Sequence, residues 1–232
     1  MGNVKLLFIH GAGGTRSKWR SLRIPSSLLY EVIDLPAHGE NEYNIISSIQ
    51  DYAAYIDQSI QEDTIVVGHS MGGLIAIELA ARNKKVKGLV LAASFYELPV
   101  HPKILDKLAD GEFPDSLFYA SYSNEVCASL LEEERKELSL VPIEITHADF
   151  QACNEYSEGR EVLLSLQIPV CAILGSQDKL LPRGAGDLLR KIKPTIHVSE
   201  IEGSGHYVML EKKEAFQIAL NKFVEIVEKQ TV

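Results

Sequence analysis

The pattern Gly-x-Ser-x-Gly at residues 68–72 places Ser70 between a strand-like run and a helix-like one. Residues 65–67 are β-branched and apolar and predict a buried strand, and apolar residues then recur at helical spacing from Leu74. The flanking glycines permit a turn so tight that a Cβ would meet neighbouring backbone. The spacing therefore predicts a serine nucleophile on a strand-to-helix turn, at the positive end of the helix. The alternative is an ordinary glycine-rich turn with a solvated serine.

A serine hydroxyl attacks a carbonyl well only when a base removes its proton, so a histidine is needed. Seven histidines compete for this role: His10, His38, His69, His101, His147, His197 and His206. His206 is favoured because its Gly-Ser-Gly-His segment lies between the last predicted strand, at 195–198, and the last helix. We expect His69 to be structural, since on a tight turn it faces away from Ser70. His10 lies at the mouth of the predicted cleft, where it could order the glycine loop or contact substrate.

The base in turn needs a carboxylate, which fixes its tautomer and stabilises the imidazolium. Asp178 follows the predicted strand at 170–174, and we expect it at the same sheet edge as Ser70 and His206. Asp34 lies at the end of another predicted strand, at 30–35, but it precedes the nucleophile in the chain, and bonding the turn at 36–39 is its simpler role. The order Ser70, Asp178, His206 therefore predicts a catalytic triad.

Two backbone N–H groups are the predicted donors to the oxyanion that forms when the serine attacks. One is that of Met71, at the start of the helix, and the other is that of Ala12, in the glycine-rich segment 11–14 after the first strand. The residues predicted to contact substrate are His10, Gly11, Phe95 and His147.

Strand-like and helix-like segments alternate through most of the chain and predict an α/β fold, with a parallel sheet covered by helices on both faces. The alternation stops from about 95 to 156, a stretch that holds eight of the 16 phenylalanine and tyrosine residues. We therefore predict a core formed by 1–94 and 157–232, and an inserted helical cap at 95–156 whose aromatics partly line an apolar pocket. The acidic run at 132–134 is most simply a solvated helix face.

The composition is that of an ordinary globular protein, with 46% hydrophobic and 24% charged residues. The net charge of -9 argues against nucleic acid and anionic membrane surfaces as partners, since both attract basic patches. No apolar run approaches the roughly 18 residues of a membrane span, and we expect no secretion signal. The three cysteines, Cys127, Cys153 and Cys171, fit no metal pattern. We expect a cytoplasmic protein with a small-molecule substrate, no metal and no cofactor; whether it forms a homo-oligomer is not readable from the sequence.

Five segments together resemble the α/β-hydrolase superfamily over nearly the whole chain. They are His10-Gly11 with Gly13-Gly14, Asp34-Leu35-Pro36-x-His38-Gly39, residues 68–73, Gly175-x-x-Asp178 and Gly205-His206. The resemblance implies Ser70 as nucleophile, His206 as base, Asp178 as its orienting acid, and Ala12 and Met71 as oxyanion donors. Members of that family commonly begin with an antiparallel hairpin, whereas this chain starts at the strand before His10. The resemblance therefore implies a shortened, six-stranded, all-parallel sheet.

The chemistry implied is that of a carboxylesterase-like serine hydrolase, which cleaves a small, uncharged, moderately apolar ester through an acyl-enzyme on Ser70. A serine at this position disfavours haloalkane dehalogenases and epoxide hydrolases, whose turn carries aspartate. Thioesterases, carbon–carbon bond hydrolases and cofactor-free lyases of the hydroxynitrile lyase type remain open on the same triad. A small-molecule receptor with a slow or silent triad remains open as a different class.

Overall fold

The computed structural model describes residues 4–230, which form a six-stranded sheet in the order β2-β1-β3-β4-β5-β6. Every neighbouring pair of strands is parallel, so the expectation of a six-stranded, all-parallel α/β sheet is confirmed. The strands are β1 (Lys5–Ile9), β2 (Tyr30–Ile33), β3 (Thr64–His69), β4 (Val86–Ala92), β5 (Val170–Gly175) and β6 (His197–Ile201).

The helices that follow the strands, or lie between β4 and β5, have these bounds: α1 (Ile49–Asp57), α2 (Met71–Arg82), α3 (Pro102–Ala109), α4 (Asp115–Ala120), α5 (Ala128–Leu138), α6 (Ile143–Glu155), α7 (Gly159–Ser165), α8 (Ala185–Ile192), α9 (Val208–Glu211) and α10 (Lys213–Gln230). A 3₁₀ turn, Arg16–Trp19, follows β1. None of the helices in residues 4–230 is long and apolar enough to cross a membrane.

An apolar layer covers each of the two faces of the sheet, because successive side chains of a strand point to opposite faces. On β3, Val66 packs in the layer formed with α1, α2 and α8, while Ile65 and Val67 pack in the layer formed with α9 and α10. All six residues of β3 are buried, which explains why this strand was marked by a continuous apolar run.

The bounds of the edge strand β6 were predicted poorly from the sequence. The last strand was predicted at 195–198, but β6 runs from His197 to Ile201 and only Ile201 is buried. A half-exposed edge strand lacks the apolar run that would fix its bounds. The prediction was therefore wrong by two to three residues at each end.

Helices α3 to α6 lie within 95–156, and α7 follows directly, with Leu163 in the core. The division into a core and a separate cap stays a prediction. The prediction that the acidic run at 132–134 is solvated was wrong in one respect, because Glu134 on α5 is only 1% exposed. Its carboxylate accepts hydrogen bonds from Lys18 Nζ at 2.6 Å and Arg20 Nη2 at 2.9 Å, which pins α5 to the 3₁₀ turn.

Candidate active site

Ser70 occupies the turn between β3 and α2 in a backbone conformation that few non-glycine residues adopt, with φ 51° and ψ -119°. Such strain costs on the order of 1–3 kcal/mol and persists only where the surroundings enforce it. A Cβ on Gly68 would lie 2.1 Å from Gly72 O, and one on Gly72 would lie 2.5 Å from Ile9 O. The hydroxyl of Ser94 also donates to Ser70 O at 2.7 Å. Close backbone packing therefore holds the half-buried Ser70 in this conformation at the turn.

His206 and Asp178 form a buried pair at the carboxyl edge of the sheet. The carboxylate Oδ2 of Asp178 lies 2.8 Å from Nδ1 of His206, and the two side chains are 3% and 5% exposed. The other oxygen, Oδ1, accepts the N–H groups of Leu180 at 2.8 Å and Leu181 at 3.3 Å. An ionised carboxylate only accepts, so Nδ1 carries a hydrogen, and in the neutral form of the ring the lone pair is on Nε2.

Ser70, His206, Gly11 and Ala12 all line one cavity of about 250 Å³. Within residues 4–230 no hydrogen bond joins the Ser70 hydroxyl to His206. In substrate-free sites such bonds are often long and tighten only when substrate binds. The structure therefore brings the predicted nucleophile and base to one cavity, while their catalytic roles stay predictions.

The predicted oxyanion donors belong to two segments next to Ser70, the start of α2 and the loop after β1. Met71 is the buried first residue of α2, and Ala12 belongs to the loop after β1. Neither N–H donates to an acceptor in the part of the chain described here. A Cβ on Gly11 would lie 3.0 Å from Ser70 Cβ, so this loop packs directly on the turn. The arrangement could hold an oxyanion between two unoccupied N–H groups.

His69 does not face away from the site as expected. Its ring lines the cavity, and its Nε2 donates to the backbone oxygen of His206 at 3.1 Å. Burial, with a smaller electrostatic contribution from the neighbouring His206 ring, lowers the pKa of His69 well below its usual value, so the His69 ring is neutral. Its structural role is to hold the loop that carries His206.

Three of the predicted substrate contacts need correction, because His10, Phe95 and His147 do not line the cavity. His10 is fully buried and orders the loop instead, with Nδ1 bonded to Gly11 O at 2.9 Å and Nε2 accepting Leu35 N–H at 3.0 Å. Burial lowers the pKa of His10 to about 3. Phe95 is 1% exposed and packs in the hydrophobic core.

His147 is half-buried on α6, which presents Phe150 and Cys153 to the cavity instead. Gly11 is the one predicted substrate contact that does line the cavity. The rest of the wall is mostly apolar and includes Leu98, Val100, Ile104, Phe113, Leu117 and Leu138. In residues 4–230 no group of three or more His, Cys, Asp or Glu side chains could hold a metal ion.

A buried polar cluster beside the cavity was not foreseen from the sequence. Asp149 on α6 is fully buried and accepts hydrogen bonds from Gly13 N–H, His38 Nε2 and the Tyr52 hydroxyl. His38 and Asp149 are 111 residues apart in the chain, so no local pattern could have paired them.

Comparison with known proteins agrees with this fold. The family model described as "Alpha/beta hydrolase family" matches residues 6–217. A pimeloyl-[acyl-carrier protein] methyl ester esterase of Neisseria meningitidis serogroup B is 26% identical over 252 residues, covering 95% of this chain and 93% of that protein. A solved thermophilic esterase is 29% identical with a TM-score of 0.82, covering 96% and 90% of the two chains. The esterase of Exiguobacterium antarcticum shares the fold with a TM-score of 0.85 at 16% identity, covering 97% and 93%.

Proposed function

We propose that this chain, which belongs to the alpha/beta hydrolase family, hydrolyses a small, uncharged, moderately apolar carboxylic ester through an acyl-enzyme on Ser70. The observation that carries the proposal is the shared apolar cavity, onto which Ser70 and His206 open with Asp178 behind His206. The similar proteins named above are esterases, so an α/β-fold carboxylic ester hydrolase is the class that sequence, fold and site have in common.

The reaction follows from the hydrogen-bonding capacity of each group. Ser70 attacks the ester carbonyl while Nε2 of His206 takes the hydroxyl proton, because Nδ1–H is held by Asp178. The N–H groups of Ala12 and Met71 stabilise the oxyanion. His206 then protonates the leaving alcohol, and a water molecule activated by the same base cleaves the acyl-enzyme.

The cavity wall supports an uncharged substrate of small size. Most of its side chains are aliphatic or aromatic, so burial of apolar acyl or alcohol groups is the main source of affinity. Lys179 carries the one permanent charge on the described wall, and its ammonium group bonds to Asn124 Oδ1 at 3.1 Å. A cavity of about 250 Å³ has room for a short acyl chain beside Ser70.

A panel of esters tests the proposal. It contains nitrophenyl esters of increasing acyl length, matched thioesters, and methyl esters, since a methyl ester is named as the substrate of the curated relatives. We expect turnover of short oxygen esters by the wild type and none by Ser70→Ala, with the exposed Ser139→Ala as matched control. Binding without Ser70-dependent turnover of any compound would favour a receptor and contradict the proposal.

A further inference from the structure

We propose that Asp149 is a positioning residue, which ties helix α6 to the loop carrying Ala12 and so fixes the direction of the Ala12 N–H group. The inference rests on the proposed function, because the oxyanion role of Ala12 is part of that function. Asp149 itself does not line the cavity, so it would act through the loop and not on the substrate.

The carboxylate of Asp149 joins three elements that are separate in the chain. Oδ2 accepts Gly13 N–H at 2.8 Å, from the loop after β1, and His38 Nε2 at 2.9 Å, from the turn after β2. Oδ1 accepts the hydroxyl of Tyr52 on α1 at 2.8 Å. Each of these donors is buried. Loss of the carboxylate would leave buried donors without an acceptor, so the contact is strongly constrained.

The loop is shaped at Gly13, one residue after Ala12. Gly13 has a φ of +61°, and a Cβ there would lie 2.9 Å from Thr146 Cγ2, which is also on α6. Gly14 N–H donates to Gly11 O at 3.1 Å and closes a tight turn. Gly13 N–H belongs to the peptide group that follows Ala12. When Asp149 holds this N–H group, rotation about the backbone of Ala12 is limited, and the direction of the Ala12 N–H group is therefore fixed.

The charge on Asp149 also needs a partner, since an unbalanced carboxylate this close to Ala12 would oppose negative charge developing on the substrate. His38 supplies it. Nδ1 of His38 lies 2.8 Å from Pro36 O and Nε2 faces Asp149, so both nitrogens carry hydrogen and the ring is an imidazolium. Burial alone lowers the pKa of His38, but the hydrogen bond and charge of Asp149, with smaller contributions from Pro36 O and Asp34, raise it overall.

The kinetic test compares two variants of Asp149 with two controls. Asp149→Ala removes the acceptor, and we expect kcat on the best ester to fall about 10- to 100-fold through misplacement of one donor, with KM changed less than about threefold. Asp149→Asn keeps a carbonyl oxygen for Gly13 N–H and should recover most of that loss. Tyr52→Phe, which removes only the bond to Oδ1, and Glu155→Ala, at the exposed end of α6, should keep kcat within about threefold.

Amide hydrogen exchange gives a readout that needs no substrate. Asp149→Ala should speed exchange of the backbone amides in residues 11–14, and Glu155→Ala should not. Unchanged exchange in folded Asp149→Ala, or a kcat equal to that of the wild type, would overturn the inference, as would equal losses in Asp149→Asn and Asp149→Ala. If the wild type hydrolyses no ester at all, the proposed function fails, and exchange alone decides whether Asp149 holds the loop.

Discussion

Replacing Asp178 with asparagine tests whether the tautomer of His206 makes Ser70 reactive. In the wild type, Oδ1 of Asp178 accepts two backbone N–H groups while Oδ2 faces His206 Nδ1 at 2.8 Å. An asparagine must keep its carbonyl oxygen toward the two N–H donors, so its amide NH₂ group would face His206. Nδ1 of His206 would then accept a hydrogen bond, and the ring hydrogen would move to Nε2, the atom that should take the proton from Ser70.

The size of the effect follows from this tautomer change. The equivalent substitution in a serine protease lowers kcat about 10⁴-fold. We expect a loss of about 10³- to 10⁴-fold for Asp178→Asn, which is about 4–5.5 kcal/mol of transition-state stabilisation. The fold should change little, because the side-chain volume and the bonds to Leu180 and Leu181 are retained.

Steady-state hydrolysis of the best nitrophenyl ester measures this loss, with thermal unfolding as a check on folding. Asp187→Asn is the matched control, because that carboxylate is 87% exposed on α8 and pairs with Arg190. Its kcat should equal that of the wild type. A folded Asp178→Asn protein whose kcat is within about tenfold of the wild type would refute the proposed role of the carboxylate.

Two further predictions concern the stability of buried groups near the site. Glu134→Gln should lower the free energy of unfolding by about 3–5 kcal/mol, because Lys18, 5% exposed, loses a charged partner at 2.6 Å. In urea denaturation the exposed Glu133→Gln should cost less than about 1 kcal/mol, and a similarly small loss for Glu134→Gln would contradict the argument. Burial lowers the pKa of His10 to about 3 in the folded protein, whereas the unfolded chain binds the proton below about pH 6.5. The free energy of unfolding should therefore fall by up to about 1.4 kcal/mol per pH unit as the pH drops below about 6.5. In His10→Gln the amide oxygen can still accept Leu35 N–H, and this dependence of unfolding free energy on pH should vanish. Equal pH dependence in the variant and the wild type would contradict the prediction.

The sheet could be predicted because its central strands are covered on both faces. β3 reads as a continuous apolar run for this reason, whereas β6, at the edge, has no such run and its bounds were misplaced. The exposed Leu29 and Tyr30 at the opposite edge show the same weakening of the pattern.

The positions of Ser70, Asp178 and His206 were accessible from the sequence because each follows a strand, and the carboxyl ends of parallel strands meet at one edge. Phe95 also follows a strand, but its ring turns into the core, and nothing in the local sequence distinguishes the two directions. Position along the sheet was therefore predictable, while side-chain direction was not.

Contacts that helices α5 and α6 make with distant residues could not be predicted from the sequence. Glu134 pairs with Lys18 across 116 residues, and Asp149 bonds Gly13 across 136. These pairs depend on how α5 and α6 pack against the loop after β1. The hydrophobic periodicity of the sequence does not indicate this packing. An acidic run on a helix looks the same whether all of it is solvated or one carboxylate is buried.

The central claim is that Ser70 is a nucleophile activated by His206, and covalent labelling tests it most directly. Wild-type protein is treated with a serine-directed fluorophosphonate, and its intact mass and labelled peptide are measured beside Ser70→Ala. We predict a single adduct on Ser70 in the wild type and no adduct in Ser70→Ala. An unlabelled wild type, or an adduct that persists in Ser70→Ala, would contradict the claim.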